Sequence, residues 1–271
     1  TRVPVAVHAE DKRTLERMRE KMRNKRRGGV EALLRVHSPE AEVRAIRRVV
    51  KLAGKSGVHV HFCHLSSAAG LDAVLRAKRL GLPFTCEVTP HHLLLTSKHL
   101  KRYKTVALTL PPLRAKEDVA ALWNALRQGL IDTLASDHAP HSREEKKAKG
   151  IWDVKPGIAG LETMLPLMLT QVNKRRLTLS TLIRLASEKP AEIFHLTDRG
   201  SLSEGCAADI VVVDMDRTFK IDAAKFHSKG KFSPFNHWRV VGKPMKTFVN
   251  GRLIMDEGEL VAEPGTGRII R

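Results

Sequence analysis

The chain has 271 residues, 42% of them hydrophobic and 28% charged, enough for one large core or two smaller ones. At 4%, aromatic residues are too few for a base-stacking surface that would hold single-stranded nucleic acid. The formal charge of +19 has three readings: nucleic-acid binding, an acidic partner, or a basic piece of a more balanced whole. The basic residues are spread along helical stretches (13–27 and 44–55) instead of forming one motif, so a solvated basic face is expected and nucleic acid is not.

Cys63, Cys86 and Cys206 are far apart and odd in number, which fits a reducing cytoplasm and not a disulfide framework. No apolar run is long enough to span a bilayer. The core-like strand Val3–Val7 at the very start, without a leading Met, predicts that Thr1 is a cut edge.

After that strand comes His8-Ala9-Glu10-Asp11 and a helix rich in Arg, Lys and Glu, broken at Lys25-Arg26-Arg27-Gly28-Gly29. Ser38 and Pro39 start a second helix, as N-cap and first helical residue, and Gly54 and Gly57 close it. A second strand, 58–67, ends in Cys63-His64-Leu65-Ser66-Ser67, and a helix covers 68–80. A third, 84–89, ends in Pro90-His91-His92. Helices near Ser97 and over 118–129 lead to a fourth, 130–135, which ends in Ser136-Asp137-His138-Ala139-Pro140-His141. Four strand–polar end–helix units predict a parallel sheet and the C-terminal half of a (β/α)₈ barrel, over residues 1–200. Helices at 161–172, 180–186 and 189–194 follow. Strands at 208–214 and 245–254, the latter turning at Asn250-Gly251, predict a small β domain over 201–271.

His8, His64 and Asp137 each stand at a strand end, where parallel α/β proteins carry their chemistry. Imidazole and carboxylate are ligands of catalytic zinc, so a metal hydrolase is expected. Asp137 alone could simply cap the next helix, and any one histidine could be structural. Alternation along the strand puts His59 and His61 on the face opposite His64, as packing or supporting residues.

With His8-Ala9-Glu10-Asp11, His61-Phe62-Cys63-His64-Leu65-Ser66-Ser67, Pro111-Pro112-Leu113-Arg114, Asp137-His138-Ala139-Pro140-His141, Pro156-Gly157-Ile158-Ala159-Gly160 and the closing Gly205-Cys206-Ala207-Ala208-Asp209, the chain resembles the dihydroorotases of the cyclic amidohydrolase superfamily nearly end to end. The resemblance implies a partial TIM-type metal-dependent hydrolase barrel with a small C-terminal β-sandwich. It implies zinc, two ions per active site in the full-length family, with ligands for one here. His8 and His64 would hold one ion; Asp137 would contact the other and act as general base. His141, Pro156 and Gly157 would hold the substrate. The reaction implied is reversible cyclisation of N-carbamoyl-L-aspartate to dihydroorotate, in pyrimidine synthesis.

Leu110 stands where the family usually has a substrate-binding asparagine. The family's first-strand His-x-His, its arginine and its bridging carboxylate are absent, so the 271 residues are expected to be the C-terminal part of a longer chain and inactive alone. Two alternatives stay open. One is another cyclic amidohydrolase, acting on hydantoin, dihydropyrimidine or allantoin. The other is a non-catalytic scaffold for aspartate transcarbamoylase. Expected partners are a small anionic substrate, a second copy of the chain, or that transcarbamoylase.

Overall fold

The computed structural model describes residues 3–25, 28–147 and 150–270. Two compact units divide the chain: one runs to Leu161 and adds Asp222–Asn236, the other joins Glu162–Ile221 to the stretch from His237 onward.

In the first unit, β1 (Val5–Val7) leads through His8 into α1 (Lys12–Asn24), capped by Asp11, whose carboxylate accepts from Thr14 N–H at 2.9 Å. Arg26 and Arg27 of the expected break lie outside the described residues. A helix the periodicity did not announce, α2 (Gly29–Val36), follows; it buries Ala32 and Val36 against Met22 of α1, with Trp152 beside them. In α3 (Pro39–Ser56), Pro39 opens the first turn and Gly57, at φ 67°, closes the last. Gly54 lies inside that helix and is not part of its stop.

β2 (Val60–Phe62) is shorter than the apolar run around it. Beyond its end, carboxylates take backbone amides: Glu87 receives His64 N–H at 3.1 Å, and Glu42 receives those of Ser66 and Ser67 at 2.8 and 3.1 Å. Next come α4 (Ala68–Arg79), β3 (Phe84–Val88), α5 (Pro90–Leu94), α6 (Ser97–Tyr103), α7 (Lys116–Arg127), β4 (Thr133–Leu134) and α8 (Arg143–Lys146). The four strands form one parallel sheet in the order β1-β2-β3-β4, with Val5 opposite Val60 and Val60 opposite Phe84. Phe84, Cys86 and Val88 are buried on one face of β3; Thr85 and Glu87 alternate to the other.

The second unit begins with α9 (Leu161–Asn173), whose last twelve residues belong to it. The helices expected at 180–186 and 189–194 run together as α10 (Leu179–Ile183), a π-turn (Arg184–Glu188) and α11 (Lys189–Ile193). Then β5 (Ile210–Lys220), β6 (Arg239–Val249), β7 (Arg252–Asp256) and β8 (Glu259–Leu260) form an antiparallel sheet in that order. The β6–β7 turn is Asn250-Gly251, both at positive φ (49° and 78°), as a two-residue hairpin requires. A sandwich needs two facing sheets; among the described residues these strands make one antiparallel sheet. Gly242, at φ 102°, lies so close to α9 that a Cβ would meet Leu169 Cβ at 2.6 Å.

Candidate active site

His8 follows β1 directly, and His64 follows β2 by two residues. Their rings meet edge to face, with His8 Nδ1 3.1 Å from His64 Nε2. The other nitrogen of His8, Nε2, faces Glu10 Oε2 at 3.0 Å. A carboxylate only accepts, so Nε2 carries a proton, and Nδ1 is the atom turned toward His64. Glu10 is buried and is held from its other oxygen by His37 Nδ1 at 2.9 Å. Although burial opposes it, hydrogen bonds from His37 and His8 bring the Glu10 carboxyl down to about 2. The same hydrogen bond holds the His8 ring above the usual imidazole range.

His64 sits at φ 34°, outside the strand geometry. Its amide bonds Glu87 Oε1, while Glu87 Oε2 takes His61 Nε2 at 3.0 Å and Thr85 Oγ1 meets His61 Nδ1 at 2.8 Å. His61 and His64 thus share one carboxylate. Glu87 and Thr85 hold the His61 ring, while the link from His64 to Glu87 runs through its backbone amide and its ring meets His8.

Asp137 follows β4 at φ 46°. Burial pushes its carboxyl up, with repulsion from Glu87 adding to the effect and attraction to His64 and His8 opposing it. His91 Nε2 lies 4.0 Å from Asp137 Oδ2. Among the described residues, that nitrogen and His64 Nδ1 are buried with no hydrogen-bond partner. Burial, and then His64, lowers the His91 ring to about 3, so it is neutral at physiological pH. His92 instead anchors a loop, through Thr89 Oγ1 at 3.0 Å and the Pro111 carbonyl at 3.2 Å.

The structure therefore brings His8, His64 and Asp137 into one electrostatic neighbourhood. His141, Pro156 and Gly157 form a second group: His141 Nε2 donates to the Pro156 carbonyl at 2.9 Å, and a Cβ on Gly157 would meet Ala139 Cβ at 2.4 Å. The Leu108 carbonyl accepts Gly157 N–H at 2.8 Å, which brings the segment leading to Leu110 beside this group. Sequence reasoning gave no role to Glu10, Glu87 or His37. Glu10 was visible within His8-Ala9-Glu10-Asp11, but its grip on two imidazoles depends on His37, 27 residues away.

Two nitrogens bound to one tetrahedral zinc at ~2.0–2.1 Å stand about 3.3 Å apart. The His8–His64 separation of 3.1 Å, with the far nitrogen of His8 held by Glu10, fits a two-imidazole half-site. Among the described residues, no three or more His, Cys, Asp or Glu side chains close round a single point.

Residues 2–254 match the amidohydrolase family, and the chain belongs to it; that family is generally metal-dependent. The chain is 39% identical over 268 residues to the dihydroorotase of Methanothermobacter thermautotrophicus, covering 99% of this chain and 60% of that one. It is 44% identical over 221 residues to the dihydroorotase of Listeria monocytogenes, covering 81% and 51%. The L-hydantoinase (dihydropyrimidinase) of Arthrobacter aurescens superposes with a TM-score of 0.93 at 34% identity, over 97% of this chain and 59% of that one. The chain spans about half to three-fifths of the length of these relatives. The resemblance to dihydroorotases expected from the motifs holds across nearly the whole sequence.

Proposed function

We propose that this chain carries part of the active site of a dihydroorotase, in the C-terminal half of a (β/α)₈ barrel. The observation that carries the reading is the pair of imidazoles meeting nitrogen to nitrogen beyond β1 and β2, with the far nitrogen of one held by a buried carboxylate. The substrate class follows the dihydroorotase relatives; a barrel part over 1–200 and a β domain over 201–271 rest on the change from strand–helix units to antiparallel strands.

His8 and His64 would hold one zinc and Asp137 would face a second. Bound zinc supplies a Lewis acid and makes hydroxide available near neutral pH. Asp137 is the general base. In the hydrolytic direction it takes the proton of the attacking water and returns it to the ring nitrogen as the C–N bond breaks. Its raised pKa suits the acid half of that cycle. His91, kept neutral beside it, adds no positive charge that would hold the Asp137 carboxylate deprotonated. His141 and the backbone at Pro156-Gly157 position the substrate. Leu110 offers no polar side chain where the resemblance implies an asparagine.

That leucine, with the hydantoinase likeness, favours one alternative: a cyclic amidohydrolase acting on a less polar ring. A substrate panel decides. Dihydroorotate, hydantoin, dihydropyrimidine and allantoin are offered to the natural-length protein and to its Asp137→Asn variant, with zinc content measured on both. Dihydroorotate turnover that falls about 10²–10⁴-fold in the variant is expected. Undiminished turnover in a zinc-loaded variant removes Asp137 as base; preference for another ring removes the dihydroorotase reading.

A further inference from the structure

Away from the strand ends, α1 and α3 flank an open surface groove of about 430 Å³ lined by Asp11, Arg13, Thr14, Arg17, Arg44 and Arg48, the four arginines exposed. A backbone hydrogen bond from Asp11 N–H to the Ala41 carbonyl, 3.0 Å, joins the starts of the two helices. Each helix then presents two arginines one turn apart, Arg13 and Arg17 from α1, Arg44 and Arg48 from α3. Arg44 is paired with Glu40 at 2.6 Å. Among the described residues, no carboxylate lies within ion-pair distance of Arg13, Arg17 or Arg48. Asp11 is the single acid in the lining, and its Oδ1 is already taken by Thr14 N–H and Oγ1–H, at 2.9 and 2.7 Å.

This arrangement works against the helices that carry it. The first turn of α1 has no acid and begins Lys12-Arg13, so its charge opposes the positive end of the helix dipole. Arg13/Arg17 and Arg44/Arg48 are like-charge pairs at i,i+4, which also destabilise. A bound anion would reverse both penalties at once.

We propose that this groove binds a small molecule bearing two or more phosphoryl groups. Guanidinium forks match phosphate oxygens two at a time. Rows of arginine one turn apart, ~5–6 Å, suit a short chain of such groups better than a single one. The volume is that of a small-ligand site. Among the described residues no aromatic lines it, so the phosphoryl chain is what is read and not a stacked base. The inference is independent of the dihydroorotase reading, because none of these side chains belongs to the strand-end site.

Calorimetric titration of the full chain with inorganic tripolyphosphate tests it, beside orthophosphate and a short polyglutamate. Saturable one-to-one binding is expected, at least about tenfold tighter for tripolyphosphate than for orthophosphate. The double variant Arg13→Ser/Arg48→Ser should weaken it about tenfold or more, whereas Arg79→Ser/Arg127→Ser, on α4 and α7, should not. Arg13→Lys/Arg48→Lys, which keeps the charge and loses the forks, should fall between and guards against misfolding of the serine variant. Equal losses in the two serine variants would reduce the effect to the diffuse +19 charge and overturn the proposal. Tighter binding of polyglutamate would overturn it too, in favour of an acidic polypeptide.

Discussion

Glu10 decides which nitrogen His8 presents to His64, and its own depressed pKa shows how firmly the two imidazoles hold it. If that orientation matters to metal binding, Glu10→Gln should weaken zinc binding about 10–100-fold, the usual cost of losing a ligand's carboxylate support. Competition against a chelator reads this without any turnover assay. Lys146 raises a separate matter. It is 5% exposed, and among the described residues its Nζ meets the Leu108 carbonyl at 3.4 Å and the Phe232 ring face at 5.9 Å. Burial pulls its pKa down to about 8 from 10.5. Below pH 8 the folded and unfolded chains both hold this proton. Between about 8 and 10.5 the unfolded chain holds it and the folded chain does not, so stability rises with pH across that window. The rise is on the order of 3 kcal/mol at most. Lys146→Met should abolish it and raise stability at pH 7, as read from denaturant titrations at several pH values.

At the scale of elements, the charges on α1 and α3 set stability against recognition. Arg13→Glu places an acid in the first turn of α1 and should raise stability by about 0.3–1 kcal/mol while removing phosphate binding. A melting curve and a titration on the same sample check both halves. Gly242 fixes how closely β6 approaches α9. Gly242→Ala adds a Cβ at positive φ against Leu169 and should cost about 1–3 kcal/mol, measurable as a lowered melting temperature. Element boundaries were the least legible part of the sequence. Residues 58–67 read as one apolar strand, yet the strand is only Val60–Phe62; beyond it the amides of Cys63 and Leu65 still reach backbone carbonyls, whereas those of His64, Ser66 and Ser67 go to the carboxylates of Glu87 and Glu42. The helix Gly29–Val36 was missed because eight residues give barely two turns of periodicity.

For the molecule as a whole, the +19 charge predicts weak, sequence-indifferent attraction to duplex DNA. Binding at about 50 mM salt should be lost by about 200 mM, with no preference among sequences in a gel-shift series. Among the described residues, no helix is long and apolar enough to cross a membrane. The sequence by itself determined the alternation of strands and helices, hence a parallel sheet, because apolar periodicity is local and punctuated by polar strand ends. It also marked His8, His64 and Asp137, because reactive residue types at strand ends stand out against an apolar background. Only the tertiary structure decided that His61 and His64 share Glu87, that His37 reaches Glu10, and that four arginines from two helices line one groove. Those groupings join residues 23 to 35 positions apart, and no pattern along the chain records which groups folding will bring together.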